Sequence, residues 1–80
     1  MTRQEALGLV EEALGMSPHT LTGRENLRDL ELWDSLSTLT FIALVDKKLG
    51  LPLSGNRVVR CQTVEELIGL LGPSSARRAA

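Results

Sequence analysis

Residues 34–52 read DSLSTLTFIALVDKKLGLP. The run from Leu36 to Leu49 holds no Gly or Pro. Asp34 and Ser35 are both good N-cap types, and Gly50 followed by Pro52 cannot continue a helix. The pattern predicts a helix over about 35–49. Phe41, Val45 and Leu49 recur at i, i+4, i+8, with Thr38 and Ile42 alongside, which marks a core face. Leu36, Leu39 and Ala43 recur at i, i+3, i+7 on a different arc, shared with Thr40, Asp46 and Lys47. A helix apolar on more than one side is either deeply buried or presents a surface to a partner. The chain has few helices to cover both arcs, so the second arc is read as a partner face.

Upstream, residues 16–33, MSPHTLTGRENLRDLELW, form a connection longer than compact domains usually leave unstructured. Leu21, Leu27, Leu30, Leu32 and Trp33 supply apolar anchors, and Thr22 with Glu25 suits a short capped turn. This segment is expected to be an ordered loop packed across the molecule. Before it, Thr2 and Glu5 have capping-box spacing. Leu7, Val10 and Leu14 follow at helical period, with Glu11 and Glu12 off the stripe, and Gly15 is the expected C-cap. Helix 1 is placed at about 3–14. Downstream, Ser54–Gln62 suits a short helical turn. Thr63 and Glu66 form a second expected capping box. Val64, Leu67, Ile68 and Leu71 then fit i, i+3, i+4, i+7, and Gly72-Pro73 is the expected stop. The expected fold is all-α: a small four-helix bundle of three main helices and one short one, with a long loop between helices 1 and 2. Residues 1–73 are the expected domain, and residues 74–80 a disordered tail.

Composition narrows the function classes. Eighty residues make one small domain. Net charge is −1, and the stretch before residue 74 carries seven basic against ten acidic residues, which argues against nucleic-acid binding. No apolar run approaches the roughly 20 residues of a membrane span. The first fifteen residues interleave acids with apolar residues, unlike a secretory signal. A cytoplasmic location is expected, and Met1 with the short tail is read as a free-standing chain. A single Cys excludes an internal disulfide and any multi-cysteine zinc site, and with one His as well no protein-only metal site is expected. His19 is read as a solvated loop residue. Cys61 is read as a buried core thiol in the short third helix, near Val64 and Leu67. Nothing places a base beside a nucleophile, so no enzyme activity is expected.

Asp34-Ser35-Leu36 stands apart. It puts a serine hydroxyl where a long loop enters the longest helix, and helix N-termini favour anionic groups. By spacing alone Asp-Ser is also an ordinary N-cap. The stretch resembles the modification site of acyl and peptidyl carrier proteins. The resemblance extends to helix 1 ending at Gly15, the long loop, FIALVDKKLGLPL at 41–53, the short 54–61 segment and TVEELIGLL at 63–71. It covers residues 3–72. It implies that Ser35, flanked by Asp34 and Leu36, carries 4′-phosphopantetheine through a phosphodiester. The arm's thiol then holds an acyl, ketide or aminoacyl group as a thioester. The implied partners are a phosphopantetheinyl transferase, a loading ligase, adenylation or acyltransferase enzyme, and downstream synthase or tailoring enzymes. They would meet a monomer on the arc of Leu36, Leu39, Thr40, Ala43, Asp46 and Lys47. Helix 2 departs from the fatty-acid branch, which is strongly acidic there. Here Asp46 is followed by Lys47 and Lys48, and Trp33 stands where a small residue is common. These departures favour polyketide or nonribosomal peptide biosynthesis. The competing expectation is a non-enzymatic helical interaction or regulatory module whose Ser35 stays unmodified.

Overall fold

A computed structural model describes residues 2–71. The chain runs through α1 (Arg3–Leu14), a single 3-10 turn (Leu27–Asp29), α2 (Ser35–Leu49), α3 (Gly55–Val59) and α4 (Val64–Gly69). The four expected helices form an all-α bundle, in which α1 packs on α2 and α4, and α2 packs on α3. Capping explains the boundaries. Thr2 and Glu5 form the expected reciprocal box at α1, while Gly15 and Gly50 end α1 and α2 in the left-handed conformation. Helix α4 is shorter than its apolar period suggested. It stops at Gly69, and Leu70 and Leu71 continue in a tight turn onto the Leu67 and Ile68 carbonyls. The expected stop at Gly72-Pro73 and the expected tail at 74–80 lie outside the described residues.

The second expected capping box is only half formed. The Thr63 hydroxyl accepts the Glu66 N–H at 3.1 Å, but the Glu66 carboxylate takes the Gln62 N–H instead of that of Thr63. The reason lies in the long loop, which claims this corner. Leu27 N–H donates to Gln62 O, Val64 N–H to Glu25 O and Glu65 N–H to Gly23 O. Asn26 and Thr63 thereby form an isolated antiparallel bridge. Gly23 sits here at φ 104°, and a Cβ at this position would run into the Arg3 and Glu65 side chains, which form an ion pair beside it.

The core is built from Ala6, Val10, Phe41, Val45, Val58, Val64 and Leu67, all completely buried. Leu7, Leu9, Leu14, Leu21, Leu27, Ile68 and Leu71 complete it. Phe41 and Val45 hold the expected core face of α2, with Ile42 partly buried beside them. Leu49 does not join them and is 38% exposed. It is the last residue of α2.

The element that sequence periodicity misassigned is Glu11. It lies off the apolar stripe of α1, yet it is 2% exposed. Its carboxylate accepts the N–H groups of His19, Thr20 and Leu21 at 3.3, 2.8 and 2.8 Å. His19 turns to φ 65° where this run of donors begins. The arrangement is a backbone concavity for an anion, filled by the protein's own carboxylate. The expected cap by Thr22 and Glu25 exists as a local link, with Thr22 and Gly23 N–H donating to Glu25. The 3-10 turn itself is capped by Asn26. Glu11→Ala leaves three loop N–H groups without their acceptor and is expected to cost about 1–3 kcal/mol. Glu12→Ala removes only an exposed pair with Lys48, so its cost is expected to stay within about 1 kcal/mol. Chemical denaturation of both variants measures the difference.

Candidate functional site

The entrance of α2 is set by Asp34 and Ser37. Asp34 is extended at φ −142° and serves as the N-cap, so Ser35 is the first helical residue. An Asp34 carboxylate oxygen accepts the Ser37 N–H at 2.9 Å, and the Ser37 hydroxyl accepts the Asp34 N–H at 2.8 Å. That hydroxyl donates to Leu32 O at 2.8 Å, which ties the last turn of the loop to the helix. Ser37 is buried to match. The sequence reading passed over it. The Asp34-x-x-Ser37 spacing was the available signal, weakened because Ser at the third helical position is a less familiar box partner than Glu.

The hydroxyl groups of α2 divide clearly. Ser37 is consumed by the cap, Thr38 donates to Asp34 O at 2.7 Å and Thr40 to Leu36 O at 2.9 Å. Ser35 is exposed, and its hydroxyl makes no hydrogen bond among the described residues. Of the side-chain hydroxyls on this helix, it alone is uncommitted among the described residues. Asp34 beside it is exposed and anionic. The hydrogen bonds from the Ser37 backbone and side chain hold its carboxyl below the usual range.

An open groove of about 550 Å³ starts at Ser35 and runs between α2 and α3. Leu39, Ile42 and Val59 give it an apolar wall, and Thr38, Ser54 and Asn56 a polar one. Leu36 and Leu39 are 73% and 64% exposed, and Val59 on α3 is 67% exposed. Thr40, Ala43, Asp46 and Lys47 are exposed as well. The whole expected docking arc is therefore on the surface. Val59 was not anticipated, because its neighbour Val58 is completely buried and the pair looked alike in sequence. Trp33 is half-buried with its ring edge-on to Phe41, centroids 6.4 Å apart, which anchors the loop at its junction with α2.

One expectation needs correction. Cys61 is neither in α3 nor fully buried. It lies beyond the end of α3, is half-buried, and its thiol donates to Arg57 O at 3.4 Å. Burial pushes its pKa up, Glu66 adds to this and Arg57 opposes it. His19 is exposed and lies against Gln4, with 3.1 Å between its Nδ1 and the Gln4 amide nitrogen, away from the α2 entrance. No group of three or more His, Cys, Asp or Glu among the described residues is placed to hold a metal. No described helix is long and apolar enough to cross a membrane.

Asp34 gives the site a pH signature. Its folded pKa is depressed, so its contribution to stability is complete above the ordinary carboxylate value of 3.8 and is lost as pH falls through the folded value. Asn caps helices about as well as Asp but does not titrate. Thermal melts of wild type and Asp34→Asn should therefore converge as pH drops below about 4. A constant gap across that range would contradict the ionised cap.

The family model described as "Phosphopantetheine attachment site" matches residues 4–71. That match takes in every helix of the bundle and the α2 entrance. No curated protein and no solved structure matches the chain.

Proposed function

The chain belongs to the phosphopantetheine attachment family, whose members carry 4′-phosphopantetheine covalently on a serine, and on that premise we propose that Ser35 is the serine modified. The supporting observation is the hydroxyl account of α2. Ser37, Thr38 and Thr40 spend their hydroxyls on backbone groups, while that of Ser35 faces solvent at the helix entrance. The residues present fit the group. A phosphodiester on Ser35 is an anion at the start of a fifteen-residue helix, where free N–H groups and the dipole favour negative charge. Its bulk projects into solvent, so no core contact has to move.

The carrier we propose spans residues 1–73. Its arm supplies a terminal thiol for thioester formation, a task for which Cys61 is poorly placed. Cys61 is half-buried, and its raised pKa keeps it protonated at neutral pH. Tethered cargo meets an enzyme docked on the carrier as a partly intramolecular partner, at an effective concentration that reaches millimolar for short flexible links. The chain itself then does no bond-making on the cargo; it positions the arm. The docking surface is the arc of Leu36, Leu39, Thr40, Ala43, Asp46 and Lys47, with Leu36 nearest the modified serine. Asp46 and Lys47 nearly cancel, so this arc is largely apolar. That character, and the absence of an acidic helix 2, support a specialised polyketide or nonribosomal peptide role over fatty-acid synthesis. Transferase, loading enzyme and downstream synthase would use this face in turn through small, reversible contacts.

Incubation with coenzyme A and a broad-specificity phosphopantetheinyl transferase should add one phosphopantetheine, read by intact mass. Ser35→Ala should abolish the gain while helicity is kept, because Asp34 and not Ser35 is the cap. Modification of the alanine variant, or none of the wild type, would overturn the assignment.

Leu39→Ala tests the docking arc. The side chain is mostly exposed, so the melting temperature should hardly move. Loading of the holo-protein should fall about five- to thirty-fold in kcat/KM, the effect of losing a contact worth on the order of 1–2 kcal/mol. A large loss of stability would place Leu39 in the core instead.

A further inference from the structure

The acids and bases of the described chain are used very differently. Glu5, Glu11, Glu25 and Glu66 spend their carboxylates on backbone N–H groups, as does Asp34. Glu12 and Glu65 are paired with Lys48 and Arg3. Arg28, Arg57 and Arg60 are exposed, and none is ion-paired among the described residues. The segment Ser54–Gln62 carries two of them and no acid. Although the chain's net charge is −1, its unspent charge around α3 is positive.

These arginines gather at one place. A hollow of about 460 Å³ is lined by Arg28, Arg60, Trp33 and Cys61, and Val59 forms its border. Arg57 does not line the hollow itself, but its charge acts on Cys61, which does. Val59 also lines the groove that begins at Ser35. It is thus an exposed apolar ridge with the Ser35 groove on one side and a basic hollow on the other. The acids that face this region are few. Glu66 acts on Cys61 but accepts the Gln62 N–H. Asp29 and Glu31 are exposed in the loop beside Arg28, and Asp34 lies at the α2 entrance.

We propose that the face formed by Leu39, Val59 and the Arg28–Arg57–Arg60 cluster docks a partner protein whose apolar anchor is bordered by carboxylates on the side that meets α3. Charge complementarity carries the choice of partner. Guanidinium groups at a rim recognise carboxylates bidentately and set orientation more than affinity. An apolar ridge between two hollows gives the anchor a place to bury. The proposal rests on the carrier reading and extends its docking arc, with which it shares Leu39, across Val59 to the arginines around α3, and its test does not require Ser35 to be modified.

The full apo chain, labelled with 15N, is titrated with two synthetic amphipathic helical peptides that share one leucine face. One peptide is bordered by glutamates and the other by lysines. Amide shifts and the emission of Trp33, the chain's one tryptophan, report binding. The glutamate peptide should bind at least about five-fold tighter at low salt, with shifts centred on Leu39, Val59 and Arg60 and a preference that shrinks as salt screens it. The triple substitution R28E/R57E/R60E, confirmed as folded by circular dichroism, should reverse the preference. Equal affinity, preference for lysine, shifts centred elsewhere, binding unaffected by the triple substitution, or no binding of either peptide would overturn the proposal. The Ser35→Ala chain should behave as wild type here, so failure of the carrier assignment, read separately by mass, is distinguishable from failure of the acidic-partner assignment.

Discussion

The buried carboxylate of Glu11 is the constraint on which the rest of the molecule hangs. The connection from α1 to α2 is too long to be held by its two ends, and each doubling of a free loop costs only a little entropy. Left free, the loop would deliver Asp34 and Ser35 to no fixed place. Glu11 takes three successive N–H groups and fixes the loop's start against α1. The α4 corner then takes over. Gly23, Glu25 and Leu27 exchange backbone hydrogen bonds with residues 62–65. Finally Ser37 takes hold of Leu32 O. Burying a carboxylate for this purpose is favourable only because it is fully hydrogen-bonded.

The α2 entrance shows a division of tasks between neighbouring polar residues. Asp34 and Ser37 satisfy each other's backbone groups, Thr38 and Thr40 bond back to carbonyls one turn earlier, and the helix start is closed without help from Ser35. A hydroxyl held to a structural backbone carbonyl must break that bond before an enzyme's base can take its proton, and Ser35 has no such bond among the described residues. The same logic extends to the apolar residues. Phe41 and Val45 take the core positions of α2, which leaves Leu36 and Leu39 uncovered among the described residues.

Much of this was legible in the sequence because the signals are local. Thr2 with Glu5, Gly15 and Gly50 fix helix ends through groups at most a turn away, and the structure puts them where the sequence does. The α2 core face and the exposed arc follow from the 3.6-residue period. What was not legible depends on distant partners. Glu11 reads as a solvated residue until its loop folds back onto it. Glu66 reads as the partner of Thr63 until the loop takes that corner and Gln62 N–H is left to satisfy. Val58 and Val59 differ only by which side of one short turn meets Phe41's core. Cys61 has an apolar neighbourhood in sequence, yet it falls past the end of α3 and is only half covered.

The same distinction separates spent charge from available charge, which a net count hides. Ten acids against nine bases suggest a nearly neutral surface. Seven of those acids are bound by backbone N–H groups or paired with Arg3 and Lys48, so their field near the surface is partly cancelled where they sit. Arg28, Arg57 and Arg60 have no such engagement among the described residues. An approaching protein responds to local potential over roughly a Debye length of 8 Å at physiological salt, not to the formal total. Around Val59 the unpaired charges are those of Arg28, Arg57 and Arg60, with Asp29 and Glu31 in the loop beside Arg28, while at the entrance beside Ser35 the charge is that of Asp34. On the proposed carrier reading, a face with one sign at Ser35 and the other a few side chains away would fix the orientation of a docked partner, since rotating that partner would bring like charges together. Orientation is what a tethered cargo needs, because the arm's reach is useful only when the partner's site lies on the side from which the arm leaves.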